Sequence, residues 1–212
     1  MCVRFLRNLD ASLQQVRARC GNPAGRPERA TARSRRQDEH VNLSTERLTL
    51  RPLVTDDFAW VHEMAADPAV TRYTTWGPND AERTREFLRL ATTDGQGPDR
   101  YLWAVTLHDG IGIGTAGLQV TSDEHDRAEF GYNVAVEHWG NGYATEVAQA
   151  IVRFAFDVRG IHRLEATCHP DNGASARVLE KVGLTLEGRL REHSRVRGEW
   201  RDTLLYAAIG QH

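Results

Sequence analysis

Apolar positions recur along this chain with two distinct periods, and each change of period marks an element. Phe130, Tyr132, Val134 and Val136 alternate with Glu129, Gly131, Asn133 and Ala135, as in a strand with one buried face. Further on, Val147, Ile151, Phe154 and Val158 recur at spacings of four, three and four, which places them on one side of a helix. Similar runs predict strands over 47–53, 101–107, 113–120, 128–136 and 162–168, with two antiparallel strands at the end. Helical stripes are expected over 56–67, 80–93, from the glycines near 142 to about 159, and over 172–182.

The junction between the strand ending at Val136 and the helix after it reads Glu137-His138-Trp139-Gly140-Asn141-Gly142-Tyr143-Ala144-Thr145-Glu146. A helix that starts here has unpaired N–H groups at its positive end, which suit an anion. Gly140 and Gly142 let the backbone approach a ligand closely. A plain glycine-bearing turn would show the same residues. Gly112-Ile113-Gly114-Thr115-Ala116-Gly117 matches a dinucleotide fingerprint, but no helical stripe follows it, so it is expected in a β-meander after the Asp109-Gly110 hairpin signal.

A second junction, His169-Pro170-Asp171-Asn172-Gly173-Ala174-Ser175, precedes the apolar positions Val178, Leu179 and Val182 and then Gly183. Asp171 or Asn172 can cap this helix, and Gly183 suits its end. Asn172 and Ser175 share its first turn, where they either meet a ligand or simply cap.

With 212 residues the chain can bury one substantial α/β core, and it has no apolar run of bilayer length. Cys2, Cys20 and Cys168 have no metal spacing, no histidines cluster, and no metal is expected; a reducing, cytoplasmic location is. Residues 1–40 carry nine arginines against four acids, a net of +5, leaving about −7 for the rest of a chain whose total is −2. This segment is expected to be a disordered basic extension or sequence upstream of the true start, with the folded domain spanning 41–212. Between Thr55 and Gly95 acids outnumber arginines by eight to four, which predicts either a cation-attracting wall or two solvated helix faces.

Taken together, Trp139-Gly140-x-Gly142-Tyr143-Ala144-Thr145-Glu146, the Asn172/Ser175 pair, the opening Thr45-Glu46-Arg47-Leu48 and the closing Glu187-Gly188-Arg189 and Gly198-Glu199-Trp200-Arg201-Asp202 resemble the GCN5-related N-acetyltransferase (GNAT) superfamily, and within it the ribosomal-protein alanine N-acetyltransferase branch. The resemblance runs from about Leu43 to Ile209. It implies a GNAT fold of the α/β (α+β) class: a mostly antiparallel mixed sheet of about seven strands, splayed between the fourth and fifth and flanked by about four helices. Acetyl-CoA would enter the splay. Backbone groups of Val134 and Val136 would hold pantetheine, and N–H groups of Trp139, Gly140, Asn141, Gly142, Tyr143 and Ala144 the pyrophosphate. The implied chemistry is direct attack of a primary amine, with Val136 N–H at the oxyanion, Glu129 as base through water, Asn172 ordering water or pantetheine, and Ser175 as acid.

Two departures stand out. Leu179 occupies the place of the superfamily's tyrosine acid, and Glu137 begins the phosphate signature with an acid that must face solvent. The implied acceptor is a protein N-terminal α-amine, with an aminoglycoside or polyamine, or a non-catalytic acyl-CoA-binding module, as alternatives. No nucleic acid or membrane partner is implied, and the chain would act as a monomer or homodimer.

Overall fold

Sheet pairing accounts for most of the hydrophobic pattern. A computed structural model describes residues 41–93 and 99–211, so the extension expected over 1–40 lies outside the described residues. The strands are β1 (Leu43–Ser44), β2 (Leu48–Pro52), β3 (Arg100–Leu107), β4 (Gly112–Ser122), β5 (Arg127–Val134), β6 (Arg163–Cys168), β7 (Thr185–Val196) and β8 (Glu199–Ile209). The helices are α1 (Phe58–Ala66, after a 3-10 turn Thr55–Asp57), α2 (Pro68–Thr71), α3 (Ala81–Thr93), α4 (Tyr143–Arg153, continued by a π turn Phe154–Val158) and α5 (Gly173–Lys181).

All eight strands form one sheet in the order β1-β2-β3-β4-β5-β6-β8-β7. Every pairing is antiparallel except β5 with β6. The eighth strand is the two-residue β1, too short to leave a periodic signal. The glycine decoy lies within β4, as its lack of a following helix implies.

Two expectations need correction. β5 is buried from Ala128 to Val134 on both faces, because helices cover both sides of the sheet. Phe130 and Tyr132 pack with Leu118, Leu164, Val147, Ile151, Phe154 and Leu179 in the larger core. On the other face Leu102 and Ala104 meet Val61, Leu88 and Ala91. Each large side chain so buried contributes about 1.5–3 kcal/mol. Moreover β5 ends at Val134, and Val136 opens a one-turn 3-10 helix, Val136–His138, where the chain must turn toward α4.

Candidate active site

β5 and β6 pair only through Arg127↔Arg163, Ala128↔Leu164 and Glu129↔Glu165. Beyond Glu129 they part. The Ala135 N–H donates to Ile113 O at 2.9 Å, so Asn133, Gly131 and Glu129 aim their backbone groups at β4. The alternate residues Phe130, Tyr132 and Val134 therefore aim theirs toward the gap that β6 leaves. Val134 O accepts the indole Nε1–H of the half-exposed Trp139 at 2.7 Å, so a side chain already uses one lone pair of the carbonyl expected to meet pantetheine.

At the end of the gap lies the glycine junction. Gly140 has φ +79° and Gly142, the N-cap of α4, has φ +82°, values that disfavour any other side chain. The first intrahelical bonds run from Thr145 and Glu146 N–H to Gly142 O. Among the described residues, the N–H groups of Gly140, Asn141, Gly142, Tyr143 and Ala144 have no acceptor, which suits an anion. The Trp139 N–H is different: it donates to Val136 O at 3.0 Å and is already satisfied. The Val136 N–H has no acceptor among the described residues. Glu137 is exposed, as its place in the signature demands.

Asn172 caps α5, its Oδ1 accepting the Ser175 N–H at 3.1 Å. Such a cap is typically worth about 1 kcal/mol. Both residues are buried, at 8% and 3% exposure, so the capping reading is realised. The Ser175 Oγ also lies 3.5 Å from the hydroxyl of Tyr132, a residue that period-two reading assigns only to the core. Leu179 is fully buried, with no polar function.

Glu129 is on the opposite sheet face from Tyr132 and Ser175, and the gap lies between. It is not a solvated strand carboxylate, since it is only 9% exposed. Cross-strand register aligns it with Gln119 and Arg100 on one side and Glu165 on the other. Burial lowers the Arg100 guanidinium, and the facing Glu129 charge opposes that effect. Glu165 accepts from Arg127 and Arg163, each at 2.7 Å. A cavity of about 180 Å³ opens here, lined among others by Arg127, Glu129, Glu165, Thr167, Leu190 and Leu205. Cys168 points into the core, and burial pushes its thiol up to about 11, which removes it as a nucleophile.

Part of the acidic wall is tied up in local contacts. Asp57 pairs with Arg51 at 2.6 Å, Glu86 with Arg89 at 2.7 Å, and Asp67 and Asp80 accept backbone N–H groups at the starts of α2 and α3. Asp56, Glu63 and Glu82 remain exposed, as do Arg72, Arg83 and Arg85, and Asp94 lies outside the described residues. Across the cleft, Arg197 at the β7–β8 turn donates to the carbonyls of Thr71, Trp76 and Gly77, closing hairpin onto wall. Tyr73 stacks on His169 with ring centroids 5.2 Å apart, and burial lowers that imidazole. None of these long-range contacts has a local sequence signal. Among the described residues there is no group of three His, Cys, Asp or Glu able to hold a metal, and no helix long and apolar enough to cross a membrane.

Comparison with known proteins agrees with this geometry. Residues 47–185 match the acetyltransferase (GNAT) domain model. An uncharacterized N-acetyltransferase, p20, from Bacillus licheniformis is 31% identical, the match covering 79% of this chain and 95% of that protein. The spermidine N(1)-acetyltransferase of Escherichia coli is 27% identical over 76% of this chain and 85% of its own length. A GNAT-family acetyltransferase structure from Bacillus anthracis superposes with a TM-score of 0.72 at 31% identity, covering 80% of this chain and 98% of that one. The fold is also shared by a ribosomal L7/L12 alpha-N-protein acetyltransferase in complex with coenzyme A, at a TM-score of 0.69 and 20% identity over 80% and 98% of the two chains. A sheet splayed beside a glycine-led helix, and a family model matching most of the described domain, make this chain a member of the GNAT acetyltransferase family and an N-acetyltransferase.

Proposed function

We propose that the chain moves the acetyl group of acetyl-CoA directly onto a primary amine, with a protein N-terminal α-amine as the acceptor. The observation that carries the coenzyme reading is the gap opened where β6 leaves β5 beyond Glu129, ending at the unbonded N–H groups of Gly140 to Ala144. Pantetheine fits as a substitute strand and pyrophosphate as the anion. The glycine positions fit as well, since a Cβ at Gly140 would stand in open space at the loop surface.

Glu129 takes the amine proton through water on the acceptor face, and the neutral nitrogen attacks the thioester carbonyl. The Val136 N–H stabilises the oxyanion, an effect typically worth about 3 kcal/mol per donor. As the C–N bond forms and the C–S bond breaks, Ser175 supplies a proton to the thiolate from the opposite face, with Tyr132 beside it. Attack from one face and departure on the other follow from the side-chain alternation of β5.

Arg51, Arg89, Arg127 and Arg163 occupy Asp57, Glu86 and Glu165, which leaves fewer free carboxylates for the several charges of a polycation than for a single α-amine. Similarity to the spermidine enzyme supports a polyamine as the second reading. The test is acetyl-CoA consumption across N-terminal peptides, spermidine and an aminoglycoside. Peptides are expected to give the highest kcat/KM. Preference for spermidine overturns the acceptor assignment, and coenzyme binding without turnover of any amine indicates a non-catalytic module.

A further inference from the structure

Two motifs that the chemistry above leaves idle, Thr45-Glu46-Arg47 and Thr145-Glu146, meet in space. Glu146 Oε1 accepts from Thr45 Oγ1 at 2.6 Å and from the Arg47 N–H at 2.9 Å. Its Oε2 accepts from Arg47 Nε at 2.8 Å and Nη2 at 2.6 Å. Arg47 Nη1 donates to the carbonyl of Asn141 at 3.0 Å, inside the glycine loop. The guanidinium lies 4.6 Å from the centre of the Tyr143 ring, and Nη2 is 3.6 Å from where a Gly142 Cβ would stand. One arginine from the β1–β2 turn thus reaches Asn141, Tyr143 and Glu146.

This contact has an electrostatic consequence for an anion site. A carboxylate in the first turn of α4 suits the helix dipole but repels a phosphate bound at the same end. Arg47 and Thr45 saturate that carboxylate. Holding the Asn141 carbonyl keeps its oxygen on the guanidinium and leaves the loop N–H groups for a ligand. A guanidinium has five N–H donors, of which the bonds above use three. The other two have no partner among the described residues, and the side chain is 45% exposed.

We propose that Arg47 is a coenzyme-binding and positioning residue, which shapes the Gly140–Gly142 loop, cancels the Glu146 charge and offers its two remaining N–H donors to the nucleotide phosphates of acetyl-CoA. The inference rests on the reading of that loop as the phosphate site. Arginine suits the task because its planar fork bonds a carboxylate, a carbonyl and a phosphate together, which an ammonium cannot.

The experiment compares acetyl-CoA with S-acetylpantetheine, which keeps the thioester and lacks the nucleotide, in the parent, Arg47→Met and Arg47→Lys. In Arg47→Met the Kd for acetyl-CoA is expected to rise at least about tenfold with a weaker salt dependence. The kcat/KM with S-acetylpantetheine should change less than about twofold. Arg47→Lys, which keeps a charge without the fork, should fall between. Unchanged acetyl-CoA affinity in Arg47→Met overturns the proposal, and so do equal losses with both acetyl donors, which mark a merely structural contact. A parent chain that fails to bind acetyl-CoA overturns the phosphate reading itself.

Discussion

The proposed coenzyme half and the proposed acceptor half of this molecule are built on different principles. On the proposed coenzyme side the unbonded groups are mainly backbone N–H and C=O, presented by one strand, one turn and one helix that follow each other from Arg127 to Arg153, with Arg47 as the added side chain. On the proposed acceptor side the groups are side chains from β5, β6, β7 and β8, brought together over long sequence separations. A backbone site tolerates change in its side chains as long as φ and ψ survive. A side-chain site depends on each partner. The acceptor half can therefore diverge within a family while the coenzyme half stays fixed in form.

This contrast can be broken by mutation. The largest effect is expected at Glu129. Glu129→Gln removes the proposed base, and kcat/KM should fall about a hundredfold, most steeply at low pH where free amine is scarce. A pH-rate profile superimposable on the parent's would take Glu129 out of the chemistry.

Next comes Asp57, which anchors the acceptor wall. Burial raises this carboxyl, but hydrogen bonds from Arg51, the Val54 N–H and Trp60 outweigh burial and hold it below the usual aspartate range. A lowered folded-state pKa means that the group stabilises the fold above its unfolded pKa of about 3.9 and loses this contribution as pH falls through the folded value. Asp57→Asn should cost on the order of 2 kcal/mol at pH 7, and the difference should shrink below about pH 4. Denaturant melts at both pH values check this, and a gap independent of pH would mean that packing, not charge, is lost.

On the coenzyme side, Gly142→Val should weaken acetyl-CoA at least about tenfold, roughly 1.4 kcal/mol, because a β-branched residue is strained at positive φ. Calorimetry, with circular dichroism to confirm the fold, measures it. Equal affinity would show that the loop backbone does not touch the coenzyme.

The smallest effect concerns acceptor charge. Since Asp57 and Glu86 are ion-paired and the exposed Asp56, Glu63 and Glu82 are matched in number by the exposed Arg72, Arg83 and Arg85, kcat/KM for matched cationic and neutral acceptors should respond nearly alike to added salt. A salt response confined to the cationic acceptor would restore the acidic wall as an attractor.

Much of this architecture is legible in the amino-acid pattern. Periodicity places nearly every strand and helix, since period two and period 3.6 are properties of the backbone itself. Gly140 and Gly142 announce the junction because positive φ requires them, and Asn172 reads as a cap because its side chain bonds three residues on. Other features had no local signal. The two-residue β1 is too short to be periodic, and Glu129 is buried beside Glu165, Leu190 and Leu205, residues that only the strand order brings to it. The excess of acids between Thr55 and Gly95 counts charges correctly but misses their partners, which only folding assigns.

What the chain determines by itself, then, is whatever depends on neighbours within a few residues: turns, caps, helical faces and the glycine loop. The tertiary structure alone decides which distant groups meet. Arg47 and Glu146 are 99 residues apart, and Tyr132 and Ser175 are 43 apart. Their contacts depend on how the sheet orders its strands, because side-chain interactions act over a few ångströms while strand pairing sets which residues come within that range.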